Sequence, residues 1–109
     1  MDFKDYQKKA RKTAIYPNVG KNFVYPALGL GGETGEVLEK IKKIIRDNNG
    51  KITPKIKEDL KKEMGDVLWY LSNLASEIGL SLDEVAEENI RKLYSRKERG
   101  EIHGSGDDR

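Results

Sequence analysis

The chain has 109 residues, enough for one small domain with a single modest core. A net charge of +2, with 37% charged and 7% aromatic residues, suits a helical protein with wide polar faces better than a β-sandwich and argues against a dedicated nucleic-acid surface. The absence of cysteine excludes thiol catalysis, disulfides and thiolate metal sites.

Met1-Asp2-Phe3-Lys4-Asp5 leads into no apolar signal region, and the longest run of large apolar residues is Val67 to Leu71. A cytoplasmic protein without a membrane span is therefore expected. Asp2 is placed to cap a first helix whose apolar positions Phe3, Tyr6, Ala10 and Ala14 recur at helical spacing; it should end near Tyr16-Pro17-Asn18. Tyr25-Pro26 offers a start for a second helix running to about Asp47 and stopping at Asn48-Asn49-Gly50. Gly29, Gly31, Gly32 and Gly35 each cost up to about 1 kcal/mol in a helix interior relative to alanine. Either close helix packing, a frayed helix start, or the approach of a ligand or ion to the backbone would offset them. A phosphate-cradling loop is not supported: no Lys-Ser or Lys-Thr follows, and Thr34 stands where G-x-G-x-x-G needs its last glycine.

Thr53-Pro54 marks the start of a third helix and Gly79 its end, with the stripe Ile56, Leu60, Met64, Val67, Leu71, Leu74 and Ile78. Trp69 falls opposite that stripe, so the middle of this helix is apolar nearly all round. Four short helices could hardly cover it, which predicts a homodimer or higher oligomer; alternatively, Trp69 or Tyr70 lines a nucleobase pocket. Ser81-Leu82-Asp83-Glu84 is a capping box opening a fourth helix to about Arg99, with the stripe Leu82, Ala86, Ile90 and Leu93. Residues 100–109 have the composition of a loop or mobile end, and His103, the only histidine, reads as a loop residue.

Two stretches carry the chemistry. Glu33-Thr34-Gly35-Glu36 on the second helix and Glu63-Met64-Gly65-Asp66 on the third each place two carboxylates three apart, on one helical face. Such pairs arise about three times by chance in so acidic a chain, so the spacing is weak alone. Phase strengthens it. With Leu30 and Leu60 as zero, Val37, Ile41, Ile44 and Ile45 match Val67, Leu71, Leu74 and Ala75, and in both helices the two acids fall at about 300° and 240°, flanking the stripe. Asn89, Lys92 and Arg96 hold the same flanking position on the fourth helix, as an exposed polar edge or as phosphate ligands.

Two like charges about 4 Å apart repel by about 4 kcal/mol at an effective dielectric near 20, so four converging carboxylates need a cation. Lys40 and Lys62 could serve as salt-bridge partners. Otherwise an all-oxygen cluster points to a hard ion, magnesium or manganese. Di-iron bundles require Glu-x-x-His, and neither Glu36 nor Asp66 is histidine. Magnesium commonly takes one or two carboxylates plus substrate phosphates, so a polyphosphate substrate would complete the site. One carboxylate could accept a proton from water while Lys92 and Arg96 stabilise charge on the leaving phosphates. A rival from another class is a non-enzymatic helical interaction module binding nucleic acid or an acidic protein partner through the basic stretches Lys55 to Lys62 or Arg91 to Arg99.

Glu33-x-x-Glu36, then 26 residues, then Glu63-x-x-Asp66, followed by Asn89-x-x-Lys92-Leu93 and Arg96 and by the ending Gly106-Asp107-Asp108-Arg109, resembles the MazG-like nucleoside triphosphate pyrophosphohydrolases of the all-α NTP pyrophosphatases. The likeness covers about residues 23 to 109, with a core over 23–99. It implies an all-α, four-helix bundle-type fold completed by dimerisation or tetramerisation. It also implies magnesium held by Glu33, Glu36, Glu63 and Asp66, and hydrolysis of a nucleoside triphosphate to monophosphate and pyrophosphate, as in nucleotide-pool housecleaning. Asn89, Lys92, Arg96 and Arg109 become the substrate-binding candidates. The chain has one such unit where some members carry two.

Overall fold

The computed structural model describes residues 1–109 and contains four helices and no strand: α1 (Phe3–Lys12), α2 (Val24–Asn48), α3 (Pro54–Glu77) and α4 (Leu82–Glu98). Their ends follow from local chemistry. Asp2 accepts a hydrogen bond from the Asp5 amide at 2.8 Å, Thr53 from that of Ile56 at 3.2 Å, and Ser81 from that of Glu84 at 3.1 Å, each satisfying a helix-start donor. Asn49 and Gly50 close α2 at φ 53° and 75°, and Gly79 follows α3 at φ 76°, in the left-handed region where glycine is unstrained.

One boundary differs from expectation. α1 ends at Lys12 rather than near Tyr16, with Thr13 as its C-cap. The Thr13 hydroxyl donates to the Ala10 carbonyl at 2.7 Å and accepts from the Trp69 indole N–H at 2.7 Å. Leaving the helix there lets Tyr16 turn inward, where it is 7% exposed. Pro26 lies in the first turn of α2 as the sequence predicts, and the helix continues unbroken through all four glycines.

α2 and α3 form an antiparallel hairpin joined by residues 49–53. Their register is visible in the pairs Gly29 with Tyr70, Glu33 with Glu63 and Asp66, and Lys40 with Glu63. α1 packs on α3, and α4 leans on α1 rather than on the hairpin. Gln7 ties the ends together: its amide donates to Ser76 Oγ and the Leu80 carbonyl, each at 3.0 Å, and accepts from the Leu82 amide at 2.8 Å.

The face of α3 expected to need a second chain is covered from within. Trp69 meets Thr13 through its indole N–H, packs edge-on to Tyr70 with ring centroids 5.0 Å apart, and lies perpendicular to Tyr16. Ser72, Asn73 and Ala75 are the buried residues of this helix. What stays open is the other side: Met64 and Ile78 on α3, Leu28, Leu38 and Ile45 on α2, and Ile90 on α4 are all exposed. The radius of gyration is 16.7 Å and the accessible surface 8139 Å². A compact monomer of 12.4 kDa should show about 13 Å and about 6,100 Å². The single chain is an open arrangement of helices.

Candidate metal centre and its surroundings

On the α2–α3 hairpin, Glu33, Glu63 and Asp66 each present a carboxylate oxygen within 4.8 Å of the others. Glu33 and Glu63 are half-buried and Asp66 is exposed. Glu36 is exposed and outside this triad, although its charge still reaches Glu33. Burial, and after it the charges of Asp66, Glu63 and Glu36, push the Glu33 carboxyl above its ordinary value. One cation approaches: Lys40 Nζ lies 3.8 Å from Glu63 Oε1, a long, half-exposed contact, while Lys62 makes no ion pair. Ligands at about 2.1 Å from a small divalent ion lie about 3 to 4 Å apart, so these oxygens, within 4.8 Å of one another, would close on such an ion by small side-chain movements.

Tyr70 borders the triad, one helical turn beyond Asp66, and lies against α2 at Gly29, one turn before Glu33. A methyl at position 29 would overlap three carbons of the Tyr70 ring, whereas Gly31, Gly32 and Gly35 face open space. Close helix packing therefore accounts for Gly29 and for none of the other three. Tyr25 stacks on Tyr16 with centroids 5.0 Å apart, and burial, Tyr25, Glu33 and Asp66 raise the Tyr70 phenol above its ordinary value. The Tyr6 phenol is raised in the same direction by burial and by Asp66.

Sequence reasoning missed Glu77, in the last turn of α3. Its side chain is 1% exposed and accepts hydrogen bonds from Arg11 at 2.9 Å, the Gly20 amide at 2.8 Å, the Asn22 amide at 2.9 Å, and the Tyr16 hydroxyl. Burial alone would raise this carboxyl, but the hydrogen bonds hold it down at about 2. Glu77 thus fixes the loop before α2, and Asn22 in turn accepts from the Tyr25 amide at 3.0 Å in the helix's first turn. No spacing rule announces such an acid; its partners are 55 to 66 residues away.

The basic strip of α4 is not adjacent to the triad within one chain. Asn89 and Lys92 line an open cavity of about 620 Å³ with Glu84, Val85, Glu88 and Arg91, and none of the four motif carboxylates lines it. Arg96 is 4% exposed beneath the tail, donating to the Asp107 carbonyl at 2.6 Å. Its Nε is buried without a partner. Lys92 Nζ meets Asp107 Oδ1 at 3.1 Å, and Arg109 donates to the carbonyls of Glu101, Ile102 and Gly106. The tail thus folds back onto α4, with Asp107 on two of the candidate phosphate ligands and Arg109 holding the turn.

No helix is long and apolar enough to cross a membrane. Among known families, residues 27–100 match the MazG nucleotide pyrophosphohydrolase domain. The chain is similar to the Gene 37 protein of Mycobacterium phage L5, at 47% identity over 109 residues, covering 95% of this chain and 96% of that protein. No solved structure matches it.

Proposed function

Because the chain belongs to the MazG nucleotide pyrophosphohydrolase family, we propose that it hydrolyses nucleoside triphosphates to monophosphates and pyrophosphate with magnesium, or manganese in its place. The observation that carries this reading is the Glu33, Glu63 and Asp66 triad, too acidic to be satisfied by the single long contact from Lys40. These three residues, with Glu36 beside them, would hold the ion. When bound, it would neutralise phosphate charge and supply Lewis-acid activation. The chain's own share is to orient the carboxylates and to offer one of them to accept the proton of the attacking water. Glu33 is our candidate for that part: it is half-buried beside Glu63 and Asp66, and burial and these acidic neighbours raise its carboxyl above the ordinary value.

Asn89, Lys92 and Arg109 are proposed to meet the substrate. Arg96, through the Asp107 carbonyl, and Arg99, through the Arg109 carbonyl, hold the segment that carries Asp107 and Arg109. Because α4 stands away from the hairpin, the working unit is a homo-oligomer in which a second copy covers the exposed apolar residues and brings basic side chains toward the acids. The interaction-module reading is less well supported. Lys55, Lys61, Arg91 and Lys92 are each paired with an acid, so the basic side chains of these stretches alternate with carboxylates rather than forming a continuous positive face.

Incubation with a panel of ribo- and deoxynucleoside triphosphates and magnesium should release pyrophosphate. Folded protein that turns over none of them would overturn the proposal. Glu63→Gln should abolish turnover, by about a hundredfold or more, while circular dichroism stays helical.

A further inference from the structure

The α2–α3 hairpin has a regular register around the triad. Gly29 faces Tyr70, and four residues on along α2 and four back along α3, Glu33 faces Asp66. These are successive rungs of one ladder, about 6 Å apart along the helix axes. The lower rung is unusual: a large planar side chain presses on the helix at a position that tolerates only hydrogen opposite it. The ring is also held edge-on by Trp69, with centroids 5.0 Å apart and planes at 89°. Its position is thus defined on two sides, next to carboxylates that have no such clamps of their own.

From this ladder we infer that Tyr70, seated on Gly29, is a positioning residue for Glu33 and Asp66: its ring sets the separation and rotation of α2 and α3 at the rung that carries them. This rests on the reading of the triad as the metal site. The carboxylates repel one another, so without a spacer of fixed thickness the two helices would part where the acids sit. Tyr70 holds them together through packing and adds no negative charge, a phenol being protonated at neutral pH. The cost of glycine in the second turn of α2 is offset by this contact.

Metal binding can be read without substrate, from loss of the free-ion paramagnetic resonance signal of Mn²⁺ added to the protein. The wild type and Tyr70→Phe, which keeps the ring on Gly29, should agree within about threefold in affinity. Tyr70→Ala and Gly29→Ala should each bind at least about tenfold more weakly, the range seen when residues that orient metal ligands are removed. Gln7→Ala serves as the structural control: it unties α1 from Ser76, Leu80 and Leu82 far from the triad, and should lower the melting temperature with Mn²⁺ affinity unchanged. If Tyr70→Ala lowers the melting temperature as Gln7→Ala does yet binds Mn²⁺ like the wild type, Tyr70 is only a core residue and the inference falls. That result would leave the metal site itself standing, whereas a wild type that binds no Mn²⁺ removes the site and the inference together. Should Gly29→Ala not fold, Tyr70→Ala against Tyr70→Phe decides alone.

Discussion

Glu33 and Glu77 are both glutamates on the α2–α3 hairpin, and their environments push them in opposite directions. Glu77 is depressed to about 2 by donors that accept its charge, so its contribution to stability is complete above pH 4.5 and is lost as pH falls toward 2. Glu33 is raised, mainly by burial and then by Asp66, Glu63 and Glu36. Its protonated form suits the fold, so its contribution is present below pH 4.5 and is lost as pH rises through the raised value. The same chemical change should therefore have opposite effects at the two positions at pH 7 without metal. Glu77→Gln leaves Arg11 and two loop amides poorly matched and should cost about 2 kcal/mol, lowering the melting temperature by about 8 °C or more. Glu33→Gln removes a charge disfavoured by burial and by its acidic neighbours and should raise the metal-free melting temperature by a few degrees. Magnesium should stabilise the wild type and leave Glu33→Gln nearly unmoved. Thermal melts at pH 7 with and without the ion, repeated for the wild type between pH 5 and 2.5, check all of these; a metal-free Glu33→Gln that melts lower than the wild type contradicts the repulsion argument.

Helices, caps and stops were legible because they depend on neighbours in sequence: Asp2, Thr53 and Ser81 cap the helix starts they were expected to cap, and Gly79 follows α3. The meeting of Glu33, Glu63 and Asp66 was legible for the same reason, since two i, i+3 pairs in phase with an apolar stripe require only a hairpin to meet, whereas the exposure of Glu36 outside this group was not. Contacts between distant segments were not. The early end of α1, the burial of Glu77 and the seat of Tyr70 on Gly29 each depend on which elements pack together. The tail is the clearest example. Asp107 and Arg109 look like loop residues in sequence, yet Asp107 lies on Lys92 and Arg96 while Arg109 bonds three carbonyls. Truncation after Gly100 would uncover Arg96, whose guanidinium is nearly buried, and free Lys92. It should lower stability by about 1 to 2 kcal/mol, read as a shifted urea midpoint with an almost unchanged slope. Asp107→Ala alone should do much less, because the Arg96 contact at 2.6 Å is to the Asp107 backbone carbonyl and the carboxylate is 86% exposed.

At the scale of the whole molecule, the surface is the anomaly. The chain exposes 8139 Å², about 2,000 Å² above the size expected of a compact monomer. A stable interface removes about 800 Å² from each partner, so the excess is large enough for one or two such contacts. Composition locates it: Leu28, Leu38 and Ile45 are exposed by 64 to 71% along α2, as is Met64 on α3 by 61%. Leu38 and Ile45 are two helical turns apart, so a charge at both would fall on one face. Were the protein a monomer, Leu38→Lys with Ile45→Lys would change stability by only about 0.5 kcal/mol, because surface substitutions that touch nothing are nearly neutral. If this face is covered by a second copy, the pair buries two unpaired ammonium groups in the interface, which therefore dissociates. Light scattering should give the wild type a mass at least twice 12.4 kDa and the double variant a mass near it. The double variant should also lose pyrophosphate release while Mn²⁺ still binds, because the triad lies within one hairpin whereas in the proposed assembly α4 of a second copy completes the site. A monomeric wild type with full activity would contradict this, and would place the basic side chains needed for the phosphates on α1 or in the loop before α2.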